Sequence, residues 1–182
     1  MPVLTRLLIG LAGLLALAGL ALAQTADLGV KGTGLALPRY VSLKSDRVNV
    51  RKGPGFDYPV AWTYQRVGLP VEILKEFETW RQVRDSEGTE GWVLQNLLSG
   101  RRTALVTPWD AKAEPAADGT PPSVALHEGA SEGSSVVALI EPGVLATILG
   151  CDKSWCRVSI AEQRGYIAQG KLWGVYRDEV VQ

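Results

Sequence analysis

Apolar and polar residues alternate in short runs along the chain, and turn residues separate these runs. Val48 and Val50 alternate with Asn49 and Arg51, which is the pattern of a strand with one buried face. The glycine- and proline-rich segment 52–55 then ends the strand. No segment keeps a sustained helical period of apolar residues. Short strands with regularly spaced turns predict an all-β fold, either a small barrel or a sandwich.

The same pattern occurs twice along the chain. Two single-residue gaps, both near turn residues, are enough to align about fifty residues of one copy with the other. The aligned positions include 48–53 with 124–129, Trp80 with Trp155, and 91–93 with 165–167. Internal similarity of this kind indicates a duplicated domain.

The repeats and the segments around them divide the chain into parts. We predict a first domain at residues 39–102 and a second, more divergent domain at residues 123–176. Residues 107–122 are rich in Ala, Pro and Gly, which predicts a linker. Residues 24–38 show a similarly weak pattern and predict a flexible leader.

The N-terminal segment has the features of a secretory signal peptide. Arg6 supplies a positive charge, residues 7–22 are almost wholly apolar, and Ala-Leu-Ala at 21–23 precedes Gln24, as a signal peptidase requires. The alternative is an uncleaved anchor, but an apolar run of about 17 residues is at the short edge of what spans a bilayer. We therefore expect residues 1–23 to be removed, leaving a periplasmic or secreted protein with no stable membrane span.

Charge and composition exclude several classes of function. The chain has 19 Lys and Arg against 19 Asp and Glu, so it lacks the basic field of a nucleic-acid binder. It has one histidine, His127, and two cysteines, too few for a zinc site or for a convincing Cys/His peptidase. The G-x-S-x-G and H-E-x-x-H motifs are also missing from the sequence. We expect no catalytic residues, no metal and no cofactor.

The two cysteines are predicted to form a disulfide. Four residues separate Cys151 from Cys156, and in a hairpin of the two strands they would face each other at bridging distance. The first copy has Glu76 and Arg81 at these positions, which predicts a cross-strand ion pair there. Cysteines of exported proteins are usually bridged, whereas the alternative, a redox motif, usually has the spacing C-x-x-C.

Residues 47–55, Arg-Val-Asn-Val-Arg-Lys-Gly-Pro-Gly, resemble the opening of bacterial SH3-like domains found in envelope and cell-wall proteins. The glycine-led hairpin 68–83 with its Trp80, and the closing run Gly-Trp-Val at 91–93, fit the same family. The resemblance implies two small SH3-like β-barrels in tandem. It also implies a binding or targeting role towards peptidoglycan or envelope proteins.

The second copy departs from this motif. Ala125 replaces the motif's Asn, His127 replaces its Arg, and residues 130–131 replace its Pro-Gly. For this copy the resemblance implies the fold and leaves ligand binding open.

Aromatic residues that only the first copy has are the candidate ligand contacts. Phe56 and Tyr58 follow the Gly-Pro-Gly turn, and exposed loop aromatics make rigid contacts at a low entropic cost. Asp57 suits an amine or guanidinium group, and Trp62 would complete the groove. Arg51 would pair with a carboxylate, either within the barrel or on a ligand. The alternative is that the aromatic residues cover the open end of the barrel.

The expected function is therefore that of an exported, non-catalytic binding module that recognises peptidoglycan or the cell-wall surface. The alternative is a protein-interaction adaptor or scaffold for an envelope enzyme or complex. The oligomeric state, the pathway and the relative orientation of the two modules stay open at this point.

Overall fold

The computed structural model describes residues 32–107 and 122–182, and within these ranges the chain forms strands and short 3-10 turns only. The predicted all-β fold, with enough strands for two small domains, is confirmed. The predicted signal peptide, most of the leader and most of the linker lie outside the described residues. No helix in the described ranges has the length and apolar character needed to cross a membrane.

The strands form two antiparallel sheets. The first sheet contains β1 (Arg39–Leu43), β2 (Val48–Arg51), β3 (Val60–Tyr64), β4 (Pro70–Phe77), β5 (Trp80–Arg84), β6 (Glu90–Leu94) and β7 (Leu98–Ser99). The second contains β8 (Thr103–Val106), β9 (Val124–His127), β10 (Val136–Ile140), β11 (Leu145–Asp152), β12 (Trp155–Ile160), β13 (Gln163–Ala168), β14 (Leu172–Trp173) and β15 (Val180–Val181). The strand order is β3-β2-β6-β5-β4-β1-β7 in the first sheet and β10-β9-β13-β12-β11-β8-β14 in the second, with β15 paired to β11. Apart from β15, the two sheets therefore share one topology.

Each sheet packs around its own apolar core. The first core includes Leu43, Val48, Val50, Val71, Ile73, Val83 and Val93. The second includes Leu126, Ala146, Ile148, Cys156, Val158, Ile167 and Leu172. Alternation along β2 buries its two valines and leaves Asn49 exposed, as the sequence pattern predicts.

Gly91 in β6 and its counterpart Gly165 in β13 lie where two strands approach closely. A Cβ atom on Gly91 would overlap the side chain of Val50, and one on Gly165 would overlap the backbone oxygen of His127. The repeated Gly-Trp-Val and Gly-Tyr-Ile runs thus begin with glycine because no side chain fits there.

The alternation of buried and exposed side chains predicted for β4 changes part of the way along the strand. The spacing predicts Phe77 on the same buried face as Val71 and Ile73, yet Phe77 is exposed. The register between β4 and β5 shifts after Ile73. A β-bulge of this kind moves every later side chain to the opposite face of the sheet.

The end of the β4–β5 hairpin differs between the modules as the sequence predicts. Cys151 and Cys156 are paired across β11 and β12 and form a disulfide, with Cα atoms 4.1 Å apart. Glu76 and Arg81 are the corresponding cross-strand pair of the first module, with Arg81 Nε 3.3 Å from Glu76 Oε1. One module therefore closes this position with a covalent bond and the other with a buried ion pair.

Strand pairing assigns β8 to the second sheet, where it contacts β11 and β14. The predicted linker 107–122 therefore connects two strands of the same sheet, and the segment between the two sheets is the short stretch 100–102. The sequence repeat begins at β2 and β9, so it does not include β8, which the long insertion separates from the rest of its module. The second sheet also extends to β15, beyond residue 176.

The two modules contact each other through aromatic and charged side chains. The ring of Tyr40 lies 5.2 Å from that of Trp173 and 4.6 Å from that of Tyr176, centroid to centroid. The Tyr176 hydroxyl donates a hydrogen bond of 2.8 Å to Glu72, which also binds Arg84 at 2.6 Å. Burial, with the Glu72 charge adding to it, raises the pKa of Tyr40 to about 12. The modules thus pack directly on each other.

Candidate functional site

The loop between β2 and β3 is held in place by Arg51. The Arg51 Nη1 group donates hydrogen bonds to the backbone oxygens of Phe56 at 3.0 Å and Tyr58 at 2.6 Å. These bonds fix the path of the chain between the two carbonyl groups. The side chain thus orders the loop. These bonds engage Nη1 alone, so ligand binding by the rest of the Arg51 guanidinium stays a prediction.

The exposed side chains of the ordered loop include Phe56, Asp57 and Tyr58, which we call the loop surface. Phe56 is 68% exposed, yet its ring packs edge-on against Trp80 with the centroids 5.2 Å apart. The Arg51 guanidinium carbon lies 5.4 Å from the Phe56 centroid, in the range of a cation–π contact. The Phe56 ring is therefore exposed to solvent and also packed against Trp80.

Tyr58 is positioned by the glycine turn that precedes it. A Cβ atom on Gly53 would overlap the Tyr58 ring, so the ring lies directly on the backbone of the turn. In this way the Gly-Pro-Gly run of the motif makes room for an aromatic side chain. Tyr58 nevertheless stays exposed on its other side.

Trp62 lies apart from the loop surface, in a cleft between the modules. It is half-buried on β3, with its ring 6.0 Å from that of Tyr64. Both rings line a cleft of about 490 Å³, to which Leu105 and Gly143 of the second module contribute. The structure thus brings Arg51, Phe56, Asp57 and Tyr58 together and places the fifth predicted residue in this inter-module cleft.

Polar groups of the inter-module cleft are engaged within the protein. The Tyr64 hydroxyl donates to Asp85 Oδ2 at 2.9 Å, and Asp85 Oδ1 accepts backbone N–H groups of Glu87 at 3.0 Å and Thr89 at 2.9 Å. Burial, followed by the Asp85 charge, raises the pKa of Tyr64, so the phenol stays neutral. The arrangement resembles a structural network more than a ligand site. The sequence alone does not reveal this network, because Tyr64 aligns with the apolar Ile140 of the second copy.

The corresponding loop of the second module uses different side chains for the same task. His127 replaces Arg51, and its Nδ1 lies 3.2 Å from the backbone oxygen of Ser134, the counterpart of Tyr58. The Ser134 hydroxyl bonds the backbone of Gly129, where the first module packs the Tyr58 ring on Gly53. The second loop is therefore ordered without presenting exposed aromatic residues.

Side chains that commonly bind metals do not converge in the part of the chain that the structure describes. No group of three or more His, Cys, Asp or Glu residues in these ranges has a geometry that could hold a metal ion. Cys151 and Cys156 are bonded to each other, so neither thiolate is available as a ligand.

Known proteins with similar sequences indicate the family of this chain. The family model described as Bacterial SH3 domain matches residues 44–100 and 120–174. The protein called "Putative N-acetylmuramoyl-L-alanine amidase YrvJ", from Bacillus subtilis (strain 168), is 25% identical over 126 residues. That match covers 69% of this chain and 24% of the relative, so the chain spans about a quarter of the relative's length.

The solved structures that match the chain are more distant in sequence. NlpC2 from Trichomonas vaginalis is 14% identical with a TM-score of 0.32, covering 75% of this chain and 48% of the other. An NlpC/P60 family protein from Bacillus cereus ATCC 10987 is 11% identical with a TM-score of 0.31, covering 74% and 55%. The chain thus spans about half of each of these proteins.

The two matched segments correspond to the two sheets. Residues 44–100 contain β2 to β7, and residues 120–174 contain β9 to β14. Together the segments make up more than half of the chain. The resemblance found in the sequence is thereby confirmed for both copies: the chain belongs to the bacterial SH3 domain family, with two such domains in tandem.

Proposed function

We propose that the protein is an exported, non-catalytic binding module that recognises peptidoglycan through the loop surface of its first domain. The observation that carries this proposal is the exposure of Phe56 and Tyr58 on a loop that Arg51 holds rigid. A rigid aromatic surface loses little conformational entropy when a ligand binds. Large exposed aromatic side chains are also typical of residues that dominate binding energy.

The chemistry of the loop surface suits this ligand. Peptidoglycan consists of sugars with apolar ring faces and short peptides with free amino groups. The Phe56 and Tyr58 rings offer flat apolar surfaces to the sugars, and the exposed Asp57 carboxylate between them offers an acceptor to an amine. The second domain has Glu132 and Ser134 at the positions of the two rings, so the proposal places these ring contacts in the first domain.

Three further points support a location and role at the cell wall. The first 23 residues have the pattern of a signal peptide, which exports the chain across the inner membrane. The family is bacterial. The relative named above carries in its name N-acetylmuramoyl-L-alanine, a unit of peptidoglycan. Because the sequence has a single histidine and no nucleophile motif, we propose that this chain binds the wall without cleaving it.

The proposal is tested by co-sedimentation of the full chain with purified peptidoglycan sacculi at moderate salt. Phe56→Ala should weaken binding at least about fivefold, since truncating a central aromatic contact costs more than about 1 kcal/mol. The matched control is Leu139→Ala, since Leu139 is 67% exposed against 68% for Phe56 but lies on β10 of the second module. The control should bind as the wild type does.

The result decides between the two functions that the sequence suggests. Sedimentation of the wild type and of Leu139→Ala, with loss in a folded Phe56→Ala protein, supports wall binding at the loop surface. If the wild type stays in the supernatant, the peptidoglycan proposal is wrong. The adaptor role then becomes the leading one, and crosslinking in the periplasm is the way to find the protein partner.

A further inference from the structure

The second module has an open pocket at a position that an aromatic side chain occupies in the first. In the first module Phe56 packs against Trp80, which is only 5% exposed. The repeat places Glu132 at the Phe56 position, and its side chain is 81% exposed. A pocket of about 180 Å³ lies here, with Trp155, the counterpart of Trp80, in its wall. Without an aromatic side chain at this position, Trp155 is half-buried, whereas Trp80 is buried.

His127 gives this pocket an acceptor atom. Its side chain is 7% exposed, and its Nδ1 lies 3.2 Å from the backbone oxygen of Ser134. A carbonyl oxygen only accepts hydrogen bonds, so Nδ1 carries the hydrogen and Nε2 of the neutral ring keeps a lone pair. Within the described residues Nε2 has no hydrogen-bond partner. The Glu132 carboxylate lies 3.7 Å away, beyond hydrogen-bond distance.

His127 Nε2 and the carboxylate of Glu132 both need a hydrogen-bond donor. Both groups accept hydrogen bonds, so they cannot satisfy each other while the imidazole is neutral. A donor placed between them, with at least two N–H groups, would bond to both. An ammonium group has three such donors, and it is also attracted by the face of an indole ring.

The backbone at the tryptophan that borders the pocket is held by Asp152, and its ring packs against His127. The Asp152 carboxylate accepts backbone N–H groups of Trp155 at 2.8 Å and Ser154 at 3.1 Å, and these bonds lower the pKa of Asp152. The rings of His127 and Trp155 pack edge to face, 5.4 Å apart. Preorganised walls of this kind reduce the entropic cost of binding.

Charge and size define the ligand. Glu132 contributes a negative charge, and Lys171, which also lines the pocket, contributes a positive one. A volume of about 180 Å³ is below the usual range of about 300–1,000 Å³ for whole ligands, so it suits a single amino acid. We propose that this pocket binds a zwitterionic amino-acid moiety, with its ammonium group at His127, Glu132 and Trp155 and its carboxylate at Lys171.

This site goes beyond the wall binding proposed for the first module and does not depend on it. The same chemistry has two sources, a free amino acid and the zwitterionic end of a diamino acid side chain in a peptidoglycan stem peptide. The two sources differ in size and in how they are tethered. Separate probes therefore distinguish them.

The test is a titration of the ¹⁵N-labelled full chain, followed through the indole N–H signal of Trp155. Alanine should shift this signal saturably. Ethylamine, which lacks the carboxylate, should bind at least about fivefold more weakly, and propionate, which lacks the amine, should cause no saturable shift. A tripeptide that ends in meso-diaminopimelate should bind more tightly than alanine if the stem peptide is the source, and no better if the source is a free amino acid.

Two variants test which side chains bind the charged groups of the ligand. Glu132→Gln should weaken alanine binding, whereas Lys171→Ala should abolish the preference for alanine over ethylamine. Both side chains are exposed, so the fold should survive. Glu162→Gln, an exposed acid at the β12–β13 turn, is the control and should bind as the wild type. Equal binding of all three small probes, no shift at Trp155, or a Glu132→Gln protein that binds alanine normally would overturn the proposal.

Discussion

Replacing Glu76 with glutamine should destabilise the first module in a way that depends on pH. The Glu76 side chain is 5% exposed and lies between Arg39, at 2.6 Å, and Arg81, at 3.3 Å. Thr33 donates two further hydrogen bonds to it, from its backbone N–H and its hydroxyl. Burial alone would raise the pKa of this carboxyl, but the hydrogen bonds from Thr33 and Arg39 and the Arg81 charge outweigh burial and lower the pKa to about 2.

The magnitude follows from this shift in pKa. A fall from 4.5 to about 2 corresponds to about 3 kcal/mol of folding free energy, at about 1.4 kcal/mol for each pH unit. Water near the partly exposed Arg39 screens part of this interaction, and glutamine retains some of the hydrogen bonds. We therefore expect Glu76→Gln to lower the free energy of unfolding by about 2 kcal/mol at pH 7.

The pH dependence has a defined sign. The pKa is lower in the folded than in the unfolded chain, so ionised Glu76 stabilises the fold fully above pH 4.5 and loses this effect as the pH falls towards 2. Urea unfolding followed by tryptophan fluorescence should show a midpoint about 1 M lower for the variant at pH 7. The two proteins should converge near pH 2. Exposed Glu87→Gln is the control and should match the wild type at both pH values. A variant as stable as the wild type at pH 7, or an equal difference at both pH values, would refute the reasoning.

Three further changes test the fold. Replacing Cys151 and Cys156 with alanine should lower the free energy of unfolding by about 2 kcal/mol, because the disulfide closes a short loop; reduction of the wild type should move the urea midpoint to the same extent. Gly91→Ala should cost more than about 2 kcal/mol through overlap with a neighbouring valine, while Gly100→Ala, where a Cβ atom meets open space, should stay within about 0.5 kcal/mol. Tyr176→Phe removes the hydrogen bond to Glu72 between the modules and should cost about 1–2 kcal/mol in thermal unfolding; a melting curve identical to that of the wild type would show that this contact does not couple the modules.

Features set by local spacing could be predicted from the sequence. The repeat located most strands of both modules, because alternation and turn residues act within a few positions. Opposed positions in a hairpin follow from strand pairing alone. This is why the disulfide of Cys151 and Cys156 and the ion pair of Glu76 and Arg81 could both be placed correctly.

Features set by irregular backbone or distant contacts could not be predicted. The bulge after Ile73 moves Phe77 to the other face of the sheet, and no glycine or proline between Ile73 and Phe77 indicates a bulge in the sequence. The strand β8 is separated from β9 by a long insertion, so its pairing is visible only in three dimensions. For the same reason the contact of Tyr40 with Trp173 went unpredicted, since both residues lie outside the aligned repeats.

The candidate site was predicted in part. The order of residues placed Phe56, Asp57 and Tyr58 in one loop, and the structure keeps them together. Trp62 is close to them in sequence, but alternation along β3 turns it towards Tyr64 and the cleft between the modules. The role of Arg51 also depended on geometry, because a guanidinium that donates to two backbone oxygens looks the same in sequence as one free to bind a ligand.

The claim that the first module binds peptidoglycan at its loop surface is tested most directly by amide NMR of the full chain titrated with soluble muropeptides. We expect saturable shifts at the amides of Gly53 and residues 55–58, and at the indole N–H of Trp80, whose ring packs against Phe56. Shifts near Trp155 would report the separate pocket of the second module and would not count towards this claim. If the signals of this loop do not shift while muropeptides bind elsewhere, or if no signal in the spectrum shifts, the loop surface is not a peptidoglycan site.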